Sequence, residues 1–187
     1  MDPQMNVLYL GSTGHVLAVF TRVAEPAIPE QVPDTFVGDG GLHVRGLGYG
    51  IAAPDLAHFN AQDIIVPTTQ LKLRQTSLDP TVMQSPRQYT YDATGDKFSG
   101  IGPMPTLSPA NPTTSITVTL LASPGKALNV LVFLQGPQPG ASLLVPGPAN
   151  TSNAVTTIQL PSLSPGEYDA LLFVEGYKPA FEHFTVT

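Results

Sequence analysis

Tyr168-Asp169-Ala170-Leu171-Leu172-Phe173-Val174 lies between the turn Ser164-Pro165-Gly166 and a second turn at Gly176-Tyr177, and Phe181 to Val186 (FEHFTV) follows. Two short apolar runs bounded by Pro-Gly and Gly-Tyr turns predict an antiparallel pair of strands. The first run is almost continuously hydrophobic, as is Leu128 to Leu134 (LNVLVFL) upstream. A strand that is apolar at successive positions needs cover on both faces, from a second sheet or from another chain. Leu172 and Phe173 point to opposite faces, so one of them suffices for a core inside the sandwich. Leu171 and Phe173 are therefore the candidate contacts with a neighbouring subunit.

Outward from this pair, further strands are expected at Ser115 to Leu121, Ser142 to Val145 and Ala154 to Leu160. Turn clusters separate them at Ser123-Pro124-Gly125, Gly136 to Gly140, Pro146 to Asn153 and Ser162 to Gly166. Strands of five to seven residues at this spacing predict a small antiparallel sandwich over residues 115–187. Before it, Gly102 to Thr114 (GPMPTLSPANPTT) holds four prolines and no charge, which predicts a linker or extended strap over 102–114.

Residues 1–101 form the other unit. Met5 to Leu10 and His15 to Val23 flank the turn Gly11-Ser12-Thr13-Gly14 and predict a hairpin. Leu42 to Leu47, Asp63 to Val66, Gln70 to Thr76 and Gln88 to Tyr91 are further strand candidates. In Gln70 to Thr76, Leu71 and Leu73 alternate with Lys72 and Arg74, as a half-buried strand requires. Pro54 to Asn60 is the one helical turn expected, with Pro at its start and Leu56 and Phe59 three apart. The fold class is all-β: two small antiparallel β-units.

Composition agrees. The 187 residues include 17 Gly and 20 Pro, a content that disfavours long helices. Charged residues make up only 12%, while 42% are hydrophobic, so the chain has the material for a core. A net charge of -6 argues against binding a nucleic-acid backbone. With no cysteine there is neither a disulfide framework nor a thiolate metal site. No signal peptide is evident and no apolar run is long enough for a membrane-spanning helix, so a cytoplasmic or particle-associated chain without membrane insertion is expected. The sequon Asn150-Thr151-Ser152 then reads as a chance match.

The stretch Leu163 to Val186, with Pro165-Gly166, Tyr168, Gly176-Tyr177 and Lys178, resembles the final hairpin of carboxypeptidase-regulatory-like and other immunoglobulin-like bacterial β-sandwich modules. The resemblance implies an immunoglobulin-like sandwich over 115–187 that acts as a spacer, adhesion or binding unit rather than a catalyst. The opening hairpin Met5 to Val23 and the segment Ser85-Pro86-Arg87-Gln88-Tyr89 are similar to small β-proteins of phage-tail-like contractile injection systems.

Catalytic and ligand motifs are not assembled in the sequence. Gly38 to Gly50 (GDGGLHVRGLGYG) lacks the Lys-Ser/Thr of a phosphate loop and reads as turn, strand and turn. His15, His43, His58 and His183 have no metal-ligand spacing, although His43, His58 and Asp55 could meet from distant segments. Ser12 and His15 share a turn without a nucleophile elbow. Turn acids such as Asp92, Asp96, Glu167 and Glu175 are expected to accept local backbone hydrogen bonds. Tyr89 and Tyr91, at alternate positions of one strand, are a candidate aromatic binding face for sugars, weighed against simple cross-strand packing. No cofactor is expected.

A surface rich in Thr, Ser, Asn, Gln, Pro and Gly but poor in charge suits a subunit covered by neighbours. The expectation is a non-enzymatic structural subunit of a multiprotein assembly, a phage-tail-like contractile injection particle being the leading kind. Its partners would be other protein subunits or further copies of itself. The alternative is a carbohydrate- or surface-binding accessory module.

Overall fold

A computed structural model describes residues 3–21, 41–44, 64–110, 114–136, 143–144 and 149–187. The first half contributes β1 (Gln4–Leu10), β2 (Val16–Phe20), β3 (Leu42–Val44), β4 (Ile64–Val66), β5 (Leu71–Ser77), β6 (Tyr89–Asp92) and β7 (Lys97–Gly100). The second contributes β8 (Thr106–Pro109), β9 (Ser115–Thr119), β10 (Leu128–Gln135), β11 (Leu143–Leu144), β12 (Ala149–Thr151), β13 (Val155–Gln159), β14 (Gly166–Val174) and β15 (Ala180–Val186). Among the described residues one short α-helix, α1 (Pro80–Gln84), interrupts them. The protein is all-β, and every strand ladder is antiparallel.

The centre is a sheet ordered β11-β10-β14-β15, with β12 pairing the other end of β10's outer edge. Strands β10 and β14 run side by side from Val130↔Val174 to Gln135↔Asp169. Their side chains divide by alternation, as the pleat demands. Val130, Val132 and Leu134 with Ala170, Leu172 and Val174 enter one core; Leu131 and Phe133 with Leu171 and Phe173 enter another.

The first core is closed by the sheet β13-β9-β8, through Leu107, Ile116, Val118, Leu120 and Ile158. This is the sandwich expected from the strand spacing. The Pro-rich segment differs from the expectation in part. Thr106–Pro109 is not a free strap but strand β8, paired with β9 from Thr106↔Thr119 to Pro109↔Ile116. Pro109, the last residue of the sheet's outermost strand, is where a missing backbone donor does little harm. The sandwich thus starts within the segment read as a linker.

The second core is closed by the N-terminal sheet β2-β1-β5, through Leu8, Leu10, Leu17, Leu71 and Leu73, together with Ile64 and Val66 of β4. Phe133 and Phe173 meet edge to face across it, with ring centroids 6.1 Å apart. Here the expectation for Leu171 and Phe173 is corrected. Both are fully buried inside this chain, because its own N-terminal sheet supplies the cover that was assigned to a neighbouring subunit.

The outer face of the N-terminal sheet is covered in turn. Met5, Val7 and Tyr9 of β1 pack with Val16, Val82 of α1 and Tyr91 of the β6–β7 hairpin. Helix α1 begins where Asp79 Oδ1 accepts from the amides of Thr81 (2.8 Å) and Val82 (3.2 Å), with Pro80 at the first helical position. The helical turn expected at Pro54 to Asn60 lies outside the described residues.

Candidate functional site

The opening hairpin turns through Gly11–Gly14, and its loop reaches both the β6–β7 hairpin and the C-terminal half. Gly14 has φ +72, a left-handed conformation suited to glycine. Its carbonyl accepts from the amide of Tyr91 at 2.7 Å, and a Cβ at Gly14 would stand only 2.7 Å from Tyr91 O. Only glycine fits between the two hairpins.

His15, the next residue, is 1% exposed. Nε2 is 2.7 Å from the carbonyl oxygen of Tyr177, an acceptor only, so this nitrogen carries the proton. Nδ1 then accepts from the Thr13 hydroxyl at 2.9 Å. Burial lowers the pKa to about 4, against weaker upward pulls from the Tyr177 bond and from Glu175. The imidazole is neutral at pH 7 and both nitrogens are engaged. It has none left to activate Ser12, so the pair has no catalytic geometry.

On the far side, Glu175 accepts from the backbone amide (3.3 Å) and side-chain amide (3.2 Å) of Asn129, and from Lys126 Nζ at 2.9 Å. Its own amide donates to Asn129 O at 3.0 Å. This acid caps a long-range contact rather than a local turn. Asp92 does take the expected local bond, from the Thr94 amide at 2.9 Å. Asp96, at φ +47, accepts from the Tyr91 phenol and is held below the usual carboxylate range by that bond and one from Thr76. Burial, followed by the Asp96 bond, pushes the Tyr91 phenol well above the ordinary tyrosine range.

Between these groups lies a cleft of about 490 Å³, inside the size range of small-ligand sites. Ser12, Lys72, Thr90, Ser99, Asn129 and Glu175 supply its polar lining, from both halves of the chain. Ser12 Oγ is buried with no hydrogen-bond partner among the described residues. The cleft offers hydroxyl, amide, ammonium and carboxylate groups, a mixture suited to holding a small hydroxylated molecule.

Other sequence candidates fall elsewhere. Tyr91 is 2% exposed, packed at 5.1 Å on Tyr9 and 4.9 Å on Phe98, and Tyr89 is half-buried beside the same cluster. The proposed aromatic face is therefore corrected to cross-strand packing. A ring enclosed by its neighbours cannot stack on a sugar. The side chains of His43, His58 and Asp55 lie outside the described residues, and no group of three metal-ligating side chains occurs among those described. His183 Nδ1 sits 2.8 Å from Asp169 Oδ1 in an exposed cross-strand pair. The role of Asn129 had no motif to announce it, because its bonds to Glu175 span 46 residues that only the fold brings together, whereas the Asp96–Tyr91 bond is local to the β6–β7 hairpin.

No helix among the described residues is long and apolar enough to cross a membrane. No protein-family model, no curated protein and no solved structure matches the chain.

Proposed function

We propose that this chain is a non-enzymatic structural subunit of a larger protein assembly. The observation that carries the reading is the use made of its unusual polar groups. His15 and Glu175 are each committed to bonds that fasten distant elements together, and Tyr91 and Asp96 to a bond that closes their own hairpin. Residues poised for chemistry keep a reactive atom free for substrate. Support also comes from the small charged fraction, 22 of 187 residues, which favours a surface shared with neighbours. The kind of particle, a phage-tail-like contractile injection system, rests on the resemblance of the opening hairpin and of Ser85 to Tyr89. The immunoglobulin-like character of the sandwich rests on that of Leu163 to Val186.

Gradient sedimentation of extracts from the cells that make the protein tests this reading. The chain is expected in the fractions of high-mass particles, and to stay there in a His183→Ala variant. Recovery only as a free chain in the light fractions overturns it.

A second reading, an accessory module for small hydroxylated ligands such as sugars, is favoured by one observation, the polar cleft with the unpartnered Ser12 hydroxyl. Saturable heat of binding with a monosaccharide panel, lost in Ser12→Ala, would place the protein there instead.

A further inference from the structure

The sheet β13-β9-β8 turns its apolar side to the sandwich core, and its other side faces outward. The outward positions carry a hydroxyl lattice. Ser108 lies opposite Thr117, which lies opposite Thr157; Thr106 lies opposite Thr119, which lies opposite Val155. No charged residue stands at an outward position of these three strands.

The exposed large apolar residues of the described chain gather at the same face. They are Leu121 (83% exposed), Val155 (54%) and Met104 (48%). Val155 is in the lattice itself, Leu121 follows β9 by two residues in a bend, and Met104 precedes β8 by two, so both flank the row Thr106–Thr119–Val155 at one end of the sheet. Three scattered residues in the sequence thus form one apolar end on an uncharged face. Exposed apolar groups concentrated in one place mark an interaction surface.

We propose that this face docks a second copy of the chain, face to face about a two-fold axis. The identity of the occupant follows from two properties. The chain carries a net charge of -6, so two copies repel least where they meet through a neutral surface. Serine and threonine hydroxyls both donate and accept, so a lattice of them is complementary to itself, as an isologous contact requires. Sheets stacked this way sit about 10 Å apart, close enough for facing side chains to interdigitate.

Size sets the strength. Three strands about 4.8 Å apart and roughly five residues long give a face of about 15 by 17 Å. That is well short of the ~800 Å² per partner of a standard interface, so the pair is weak and forms at high local concentration. Such a contact suits a subunit whose neighbours are also held by other surfaces. The role of the contact rests on the assembly reading; its geometry does not.

Sedimentation velocity of the purified chain from about 10 μM to about 1 mM tests the pairing, since a dissociation constant in this range corresponds to only ~4–7 kcal/mol. A reversible shift from monomer to dimer is expected. Thr119→Lys and Thr157→Lys each place a charge at the contact and raise the dissociation constant at least tenfold, while Thr94→Lys, in the β6–β7 turn, leaves it unchanged. Far-ultraviolet circular dichroism of each variant confirms an unaltered fold, and both contact positions are exposed. A wild-type monomer at about 1 mM, or a dimer that survives both lattice charges, overturns the proposal. Either result leaves the assembly reading to the particle-sedimentation experiment, which decides it separately.

Discussion

His15 Nε2 donates to the carbonyl oxygen of Tyr177 at 2.7 Å, across a separation of 162 residues, and its ring lies edge-on to Phe173 at 5.0 Å. One side chain of the opening hairpin thereby touches both the closing turn and the core strand of the C-terminal half. Around it the N-terminal sheet lies on the central sheet, and a second sheet lies on the opposite side. The order is three layers with two cores between them.

The His15 environment predicts a pH dependence. The folded-state pKa of about 4 lies below the ordinary value of 6.5, so between these values the unfolded chain binds the proton and the folded chain does not. Stability is therefore lost as pH falls from 6.5 toward 4, by roughly 3 kcal/mol from this group. Denaturant melts at a series of pH values should show this slope. His15→Gln, which keeps a donor near Tyr177 O, should flatten it over that window while leaving the behaviour above pH 7 parallel to wild type.

Two glycines with nearly equal backbone angles separate strain from crowding. Gly14 (φ +72) would place a Cβ 2.7 Å from Tyr91 O, whereas Gly125 (φ +70) has open space around the same position. Gly125→Ala should cost about 1 kcal/mol, the left-handed penalty alone. Gly14→Ala should cost at least about 2 kcal/mol, since a backbone carbonyl must also move. Equal costs would contradict the close hairpin contact.

Phe133 and Phe173 are fully buried between the N-terminal and central sheets. Truncating either to Ala should cost about 3–5 kcal/mol. The double variant should cost less than the sum of the singles, because the two rings touch. A cost under about 1 kcal/mol for Phe173→Ala would return that residue to a surface role.

Tyr91→Phe removes the bond to Asp96 but keeps the packing against Tyr9 and Phe98. Asp96 is exposed, so the loss should be near ~1 kcal/mol, the value of an ordinary hydrogen bond and below the range for buried bonds to charged groups. In Asp96→Asn, which keeps the Tyr91 phenol, an absorbance titration should show that phenol still above the ordinary range through burial but ionising at lower pH than in the wild type. An unchanged titration in Asp96→Asn would remove the Asp96 bond from the account.

Much of this fold is legible in the sequence because its strands obey local rules. The alternation in Leu71 to Thr76, the Gly11–Gly14 turn and the Pro-Gly turn before Tyr168 each mark an element close to where it occurs. Helix α1 was signalled only by Asp79-Pro80, a capping pair too short-ranged to stand out. Strand β8 was hidden because its prolines read as a strap, and prolines are tolerated on an outermost strand. The double-sided hydrophobicity of β10 and β14 correctly called for two covers. Which surface supplies the second cover depends on contacts between distant segments, and no local pattern encodes it. The same holds for the cleft, where Ser12, Asn129 and Glu175 meet only through the packing of the two halves.

The central claim is that the N-terminal sheet and the C-terminal sandwich share a core and stand as one cooperative unit. Hydrogen exchange in increasing denaturant, read separately for β1 and β5 and for β10 and β14, tests it most directly. The shared core predicts that all four strands lose protection together, at one midpoint, and that Phe173→Ala lowers that midpoint for all four. Exchange of β1 and β5 at lower denaturant, with β10 and β14 still protected, would contradict it.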